Sequence, residues 1–138
     1  MKVFFDTNVY VAEALLGQAA EEILEATRRS SWRIYSSAVV LKEIEGVLGE
    51  KLGFSRRLVA LTRVRTIRNS TIIEPGASRH IVPEDPADSP ILQAAVAAGA
   101  DYLVTNDSHL LALTPYQGMR ILSMHQYHAL LIDQGLLH

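Results

Sequence analysis

The chain has 138 residues, of which 49% are hydrophobic and 20% charged, and its formal net charge is −2. This length and composition are typical of one globular domain, so we expect residues 1–138 to form a single unit and we exclude a disordered chain. The absence of cysteine excludes a disulfide framework, a thiolate metal site and a cysteine nucleophile. The opening residues MKVFFDTN are too short an apolar run for a signal peptide or a membrane span, so we expect a cytoplasmic protein.

Hydrophobic periodicity in the first half of the chain predicts strands that alternate with helices. The strands are expected at residues 2–5 and 33–35, and the helices at residues 7–16, 18–29 and 37–52. Ser55 is placed to cap a further helix that runs to Arg68. Leucine, valine and isoleucine give that helix an apolar line, and arginines occupy its other faces.

The second half opens with a strand at residues 71–74 and a proline-containing stretch at residues 75–86, which we predict to be a loop. Then come a helix at residues 88–98, a strand at 101–104, a helix at 108–113, a strand at 120–122 and a helix from Met124. The strands are short and continuously apolar, as in sheets covered on both faces. We therefore predict an α/β protein with three layers, in which helices cover both faces of a short, mostly parallel sheet.

Two polar triplets directly follow predicted strands, Asp6-Thr7-Asn8 and Thr105-Asn106-Asp107. Ligands of open α/β sheets bind beyond the carboxyl ends of the strands, which is where both triplets fall. Each aspartate is equally suited to capping the helix that follows it. Neither triplet alone therefore decides between a structural and a chemical role.

Further acids lie near predicted helices. Asp88 begins the helix at residues 88–98, and Asp85 precedes a proline typical of a first helical turn, so capping is the favoured interpretation for either one alone. Glu43 and Glu45 flank Ile44, the centre of an apolar stripe, at about 100° on either side. Periodicity does not choose between these two glutamates.

Three segments of the chain resemble the successive motifs of PIN-domain proteins: MKVFFDTNVYVAEAL, SSAVVLKEIEGVL and DPADSPILQAAVAAGADYLVTNDSHLLAL. The closest likeness is to the stand-alone PIN toxins of the VapC type from bacterial toxin–antitoxin pairs. The single motifs are common, whereas the ordered set at this spacing is specific. The resemblance implies a three-layer α/β/α PIN-like fold and a ribonuclease that depends on Mg²⁺ or Mn²⁺.

The same resemblance assigns candidate site residues. It places the four acids of the family on Asp6, Glu43, Asp88 and Asp107, which favours Glu43 over Glu45. Supporting polar positions fall on Thr7, Asn8, Thr105 and Asn106, the last of these in place of the small residue that many relatives carry. Asp85 is an extra acid within reach of the same helix N-terminus.

Four converging carboxylates need protons or a cation, because two of them about 4 Å apart repel by about 4 kcal/mol at an effective dielectric of 20. Hard divalent ions with oxygen ligands are the natural choice. The resulting hypothesis is in-line attack on the RNA phosphodiester by a metal-activated water. Asp6 and Asp107 are expected as principal ligands, Asp88 as a ligand or water-orienting base, and Glu43 as a ligand through water.

Basic residues are concentrated in the segment 51–73, which contains no acid. Its residues Arg63, Arg65 and Arg68 are candidates for contacting RNA phosphates, although a solvated helix face or pairing with acidic surfaces explains them equally well. Among the histidines, His109 follows Asp107 by two residues and is expected near the mouth of the site. The other histidines show no spacing typical of a metal site.

Other functions fit less well. A phosphoacceptor or phosphatase domain generally needs a late lysine, and the lysines here are Lys2, Lys42 and Lys51. A dinucleotide-binding domain would have a glycine-rich turn after its first strand. The main alternative is a PIN-like module that binds RNA or a protein partner without efficient cleavage.

The resemblance also implies partners. We expect RNA, an antitoxin that blocks the acidic cleft with a basic side chain, and a second copy of the chain docked through helices 7–29 and 37–52.

Overall fold

A computed structural model describes residues 1–74, 79–83 and 85–138 of the chain, and within them five short strands form one sheet. The strands are β1 (Lys2–Phe5), β2 (Arg33–Ser37), β3 (Thr71–Ile73), β4 (Tyr102–Val104) and β5 (Arg120–Leu122). Their order in the sheet is β3-β2-β1-β4-β5, and every neighbouring pair is parallel. The α/β prediction is confirmed.

The direction of strand addition reverses beside β1. The chain runs from β1 through β2 to β3 at one edge, then crosses back to place β4 on the other side of β1. Such a reversal puts the preceding and following crossovers on opposite faces, because these connections are right-handed, and it opens a crevice at the carboxyl ends of the two central strands. The backbone N–H of Asp6 donates to Val104 O at 2.9 Å, which extends the β1–β4 pairing to the edge of that crevice.

Helices cover the sheet as predicted, with some changes at their ends. They are α1 (Thr7–Ala14), α2 (Gln18–Arg29), α3 (Ala38–Glu45), α4 (Arg56–Arg68), α5 (Ser89–Ala97), α6 (Ser108–Leu111) and α7 (Met124–Asp133). None of the described helices combines the length and the apolar character that crossing a bilayer requires.

Two predicted helices differ from their expected form. The helix predicted at residues 37–52 ends as an α-helix at Glu45 and continues as a π-helix over Gly46–Lys51, where two glycines weaken the preference for regular α-helix. A 3₁₀ turn at Pro86–Asp88 precedes α5. The loop predicted at residues 75–86 falls partly on residues 75–78 and 84, which lie outside the described residues.

The core lies between the sheet and the helices and includes residues from both halves of the chain. Phe5 and Leu103 are fully buried on the two central strands. Tyr127 of α7 packs edge-on against Phe5, with ring centroids 5.6 Å apart, and its hydroxyl lies 2.7 Å from Thr27 Oγ1 of α2. The C-terminal helix is therefore part of the same core as the first strand.

Helix α4 contributes little to this core. Its apolar line is largely exposed to solvent, with Leu58, Leu61, Val64 and Ile67 exposed by between 41% and 54%. The buried residue of this helix is Thr66. The apolar line predicted from the sequence is present, but it faces outwards.

We expect Leu103→Ala to lower the free energy of unfolding by about 2–5 kcal/mol, because it leaves a cavity between β4 and the helices that cover the sheet. The matched control is Leu61→Ala on α4, where the leucine is 54% exposed. That change should cost about 0.5 kcal/mol or less. Urea denaturation followed by circular dichroism measures both values, and equal losses would contradict the assignment of the core.

Candidate active site

Asp6 occupies the centre of the crevice, where backbone and side-chain donors hold its carboxylate. Its Oδ1 accepts from the backbone N–H of Thr7 at 2.6 Å, and its Oδ2 accepts from Thr105 Oγ1 at 2.7 Å. Asn8 Nδ2 adds a longer contact to Oδ2 at 3.3 Å. The side chain is buried and fixed in one orientation at the point where β1 and β4 end.

Asp107 approaches from the next strand and is joined to Asp6 through Thr105. The Thr105 hydroxyl donates to Asp6 and accepts the backbone N–H of Asp107 at 3.0 Å. Asp107 also caps α6, since its Oδ1 accepts from the backbone N–H groups of His109 at 2.8 Å and Leu110 at 3.3 Å. Asp6 and Asp107 therefore each cap a helix, and together they begin a cluster of carboxylates at the crevice, the acidic cluster.

The structure brings Glu43 to the cluster and directs Glu45 elsewhere. Glu43 Oε2 accepts from Thr7 Oγ1 at 2.7 Å, and its charge acts on Asp6. Glu45 pairs instead with Arg63 of α4, with Oε1 and Nε 3.3 Å apart. The two glutamates on either side of Ile44 thus have different environments, which periodicity did not separate.

Asp85 and Asp88 stand at helix-start positions, but neither side chain makes a capping hydrogen bond. The interpretation favoured for each residue alone, helix capping, is therefore wrong for these side chains. Asp88 instead interacts with Asp107 and Asp85, and its Oδ2 is a buried atom without a hydrogen-bond donor among the described residues. Its neighbours are carboxylates, which accept hydrogen bonds and donate none unless protonated.

Crowding of these acids changes their affinity for protons. Burial, then the adjacent Asp107, raises the pKa of Asp88 to about 8, and the charge of Asp6 adds to this effect. The hydrogen bond from Asp88 holds the pKa of Asp107 below its usual range. Burial also raises the pKa of Asp6, against the lowering effect of its donors Thr105 and Thr7. At neutral pH the cluster without a cation thus retains a proton, which Asp88 shares with Asp107.

The donor set fits a hard divalent cation. Apart from the orphaned Asp88 Oδ2, the amide oxygen of Asn8 is also buried without a donor among the described residues. Buried oxygens are rarely left without a partner, and carboxylate and amide oxygens are ligands that Mg²⁺ and Mn²⁺ accept. Asp6, Asp88 and Asp107 are the residues that would hold the ion, with Glu43 beside them.

Three candidate residues have contacts outside the cluster. Asn106 Oδ1 accepts the backbone N–H of Met124 at 3.1 Å, so its side chain anchors the start of α7. Arg63 pairs with Glu45, and Arg65 lies 3.6 Å from Glu13 and 3.8 Å from Glu25. Both arginines are about half exposed and take part in ion pairs within the chain.

Arg68 differs from the other two candidate arginines. It is exposed, and no carboxylate of the described residues lies within ion-pair distance of it. His109, expected at the mouth of the site, does lie beside Asp85 and Asp107. The sequence distance of two residues from Asp107 was the signal for it.

Sequence comparison decides the family. A model of the PIN domain matches residues 2–109 of the chain. The chain belongs to the PIN-domain family. PIN domains are in general nucleases, so the acidic cluster described above lies in a domain of nuclease type. A search of curated proteins finds no match.

Two solved structures share the fold of this chain at low sequence identity. The VapBC2 structure from Rickettsia felis, bound to a DNA fragment from their promoter, matches with a TM-score of 0.61 and 17% identity over 89% of this chain and 98% of that one. PAE2754 from Pyrobaculum aerophilum matches with a TM-score of 0.55 and 17% identity over 98% of this chain and 90% of that one. These likenesses establish the predicted PIN-like fold.

We expect the stability of the metal-free PIN domain to fall as the pH rises from about 4 to about 8. In this window Asp88 keeps its proton in the folded state, where its pKa is about 8, and has lost it in the unfolded chain, where the pKa is near 3.8. The folded state then binds more protons, so its advantage is complete at low pH and is lost as the pH passes the folded value. Asp88→Asn should flatten this dependence.

Urea denaturation in the presence of chelator, at a series of pH values, measures the effect. Asp133→Asn, which removes an exposed carboxylate at the end of α7, is the control and should keep the slope of the parent protein. If Asp88→Asn and the parent protein lose stability equally with pH, Asp88 does not carry the retained proton.

Proposed function

We propose that this PIN domain is an endoribonuclease that depends on Mg²⁺ or Mn²⁺ and serves as the VapC-type toxin of a toxin–antitoxin pair. The observation that carries the proposal is the convergence of Asp6, Glu43, Asp88 and Asp107 at the crevice beside β1, with more negative charge than the site can hold without a proton or a cation. The membership of the PIN family supports the nuclease activity.

The residues of the chain have distinct tasks in this proposal. Thr105 and the backbone of Thr7 fix the carboxylate of Asp6 for ligation, and the Thr7 hydroxyl orients Glu43. Asp88 has an oxygen without a donor, which leaves that oxygen open to the metal ion or to the attacking water. When bound, Mg²⁺ or Mn²⁺ would supply Lewis-acid stabilisation of the negative charge on the phosphodiester.

Phosphate contacts require positive charge, which we assign to α4. Arg63, Arg65 and Arg68 are the proposed contacts, and Arg68 is available without breaking an ion pair within the described residues. Arg63 and Arg65 would have to exchange their glutamates for phosphate oxygens. Because guanidinium groups bind phosphate and carboxylate oxygens in the same fork geometry, this exchange is chemically close.

The whole chain 1–138 is proposed to act as one domain, although the family match ends at residue 109. Beyond that point β5 pairs with β4, and Tyr127 of α7 packs against Phe5 of β1. The last elements thus support the strand that precedes Asp6.

The proposed partners are RNA as substrate, an antitoxin and a second copy of the chain in a homodimer. The likeness to VapBC2 supports the antitoxin, which would insert a basic side chain into the acidic cluster. The dimer surface is proposed on the helices α1 to α3. We place the activity in the cytoplasm, where the RNA is.

We expect Asp6→Asn to abolish metal-dependent RNA cleavage and Glu43→Gln to reduce kcat/KM by about 10-fold or more, since it changes a group next to the metal ligands. Glu45→Gln is the matched control, because it makes the same change two residues along α3 at a side chain that pairs with Arg63. It should leave the rate unchanged.

A labelled RNA is digested with Mn²⁺ and with chelator, and circular dichroism verifies the fold of each variant. RNA binding without any cleavage by the parent protein would support the non-cleaving module instead.

A second expectation concerns the contribution of Arg68 to RNA binding. In the Asp6→Asn background, Arg68→Ala should weaken RNA binding and reduce the slope of log K against log salt by about one. Arg29→Ala on α2, an exposed arginine that pairs with Glu25, serves as the control and should keep the slope. Fluorescence anisotropy at several salt concentrations gives both slopes, and identical slopes would remove Arg68 from the interface.

A further inference from the structure

His109 presents a ring nitrogen to two carboxylates at the mouth of the acidic cluster. Its Nδ1 lies 3.8 Å from Asp85 Oδ2 and 3.8 Å from Asp107 Oδ1. These separations are too long for hydrogen bonds, which join nitrogen and oxygen at about 2.7–3.2 Å. They suit two ligands of one cation, because metal–ligand bonds of about 2.0–2.2 Å allow ligand atoms to be up to about 4.4 Å apart.

The described histidines that make a close polar contact elsewhere have a different geometry. His128 Nε2 lies 3.0 Å from Glu22 Oε2, which is an ordinary ion-pair hydrogen bond. His80 Nδ1 lies 2.7 Å from the hydroxyl of Tyr116. Of these three histidines, only His109 has two carboxylate oxygens at the same distance from one ring nitrogen.

The local structure holds all three groups in place. The backbone N–H of His109 donates to Asp107 Oδ1, which fixes the residue in the first turn of α6. Asp85 comes from the 3₁₀ turn before α5, and its side chain is not used as a cap. One ligand atom from each of the three residues lies within 4.8 Å of the others. Two separate chain segments therefore deliver a mixed nitrogen and oxygen donor set to one point.

We infer that His109, Asp85 and Asp107 hold a divalent cation in a position of their own at the mouth of the cluster, with His109 as a nitrogen ligand that favours first-row transition ions over Mg²⁺. This inference rests on the proposed function for the inner, all-oxygen position. Imidazole nitrogen suits transition ions, whereas Mg²⁺ takes oxygen ligands almost exclusively. Asp107 and Asp85 adjoin both positions, because each of them also interacts with Asp88.

The ring of His109 is about half exposed, with 46% of its side chain open to solvent. With the ring proton on Nε2, Nδ1 offers its lone pair to the ion, and water completes the coordination. An exposed ligand of this kind makes the outer position exchangeable, while the buried Asp6 lies deeper in the crevice. The outer position would set which metal the protein prefers.

The test uses the purified full chain without RNA. Co²⁺ and Mg²⁺ binding are measured by isothermal titration calorimetry, and Mn²⁺ binding by pulsed electron paramagnetic resonance, which detects an imidazole nitrogen on the ion. The variants are His109→Gln, His109→Leu and Asp85→Asn. His128→Gln is the control, since it removes a histidine that faces one carboxylate at hydrogen-bond distance. The backbone N–H of residue 109, which donates to the capping carboxylate of Asp107, remains in every His109 variant.

We expect both His109 variants to weaken Co²⁺ binding by about 10-fold or more, to leave Mg²⁺ binding nearly unchanged and to lose the imidazole signal of Mn²⁺. Asp85→Asn should weaken Co²⁺ binding as well, and His128→Gln should behave as the parent protein. An unchanged Co²⁺ affinity, an equal loss for Co²⁺ and Mg²⁺, or the absence of a nitrogen signal in the parent protein would each overturn the inference. These results are independent of the RNA digestion. If the parent protein shows the nitrogen signal but does not cleave RNA, the proposed function is wrong and the inference about the outer position stands.

Discussion

The hydroxyl group of Thr105 lies between two aspartates that approach each other from neighbouring strands, and the arrangement of the site depends on this contact. It donates to the carboxylate of Asp6 and accepts from the backbone N–H of Asp107, so that the two residues are held beside each other although their side-chain charges repel. The contact exists because β1 and β4 are adjacent and parallel at the reversal of the sheet, which brings residue 105 beside residue 6. The order of the strands therefore determines, through Thr105, where the two negative charges lie.

The remaining repulsion determines what the site can bind. Donors from Thr7 and Thr105 stabilise the charge of Asp6, whereas Asp88 lacks a donor and keeps a proton instead. In the proposed function a proton and a divalent cation are therefore alternatives at the same carboxylates, and the cation would displace the proton on binding. Membership of the PIN family supports a nuclease activity, and the retained proton lowers the repulsion among the carboxylates while no cation is bound.

The pattern of the sequence predicted the strands and the parallel sheet because short, wholly apolar runs have few alternatives. It also located Asp6 and Asp107, since residues that directly follow central strands must meet at one edge. It did not separate Glu43 from Glu45, because both flank the same apolar stripe and only the tertiary partners Thr7 and Arg63 distinguish them. The capping interpretation of Asp85 and Asp88 was wrong because like-charged neighbours, which periodicity cannot register, occupy the space around those side chains.

The outward-facing apolar line of α4 has a consequence for handling the protein. Leu58, Leu61, Val64 and Ile67 are exposed on a helix that also bears several arginines. Added salt screens the repulsion between like-charged molecules but leaves the attraction between exposed apolar side chains intact. We therefore expect concentrated samples to self-associate more strongly through this face of α4 as the ionic strength rises.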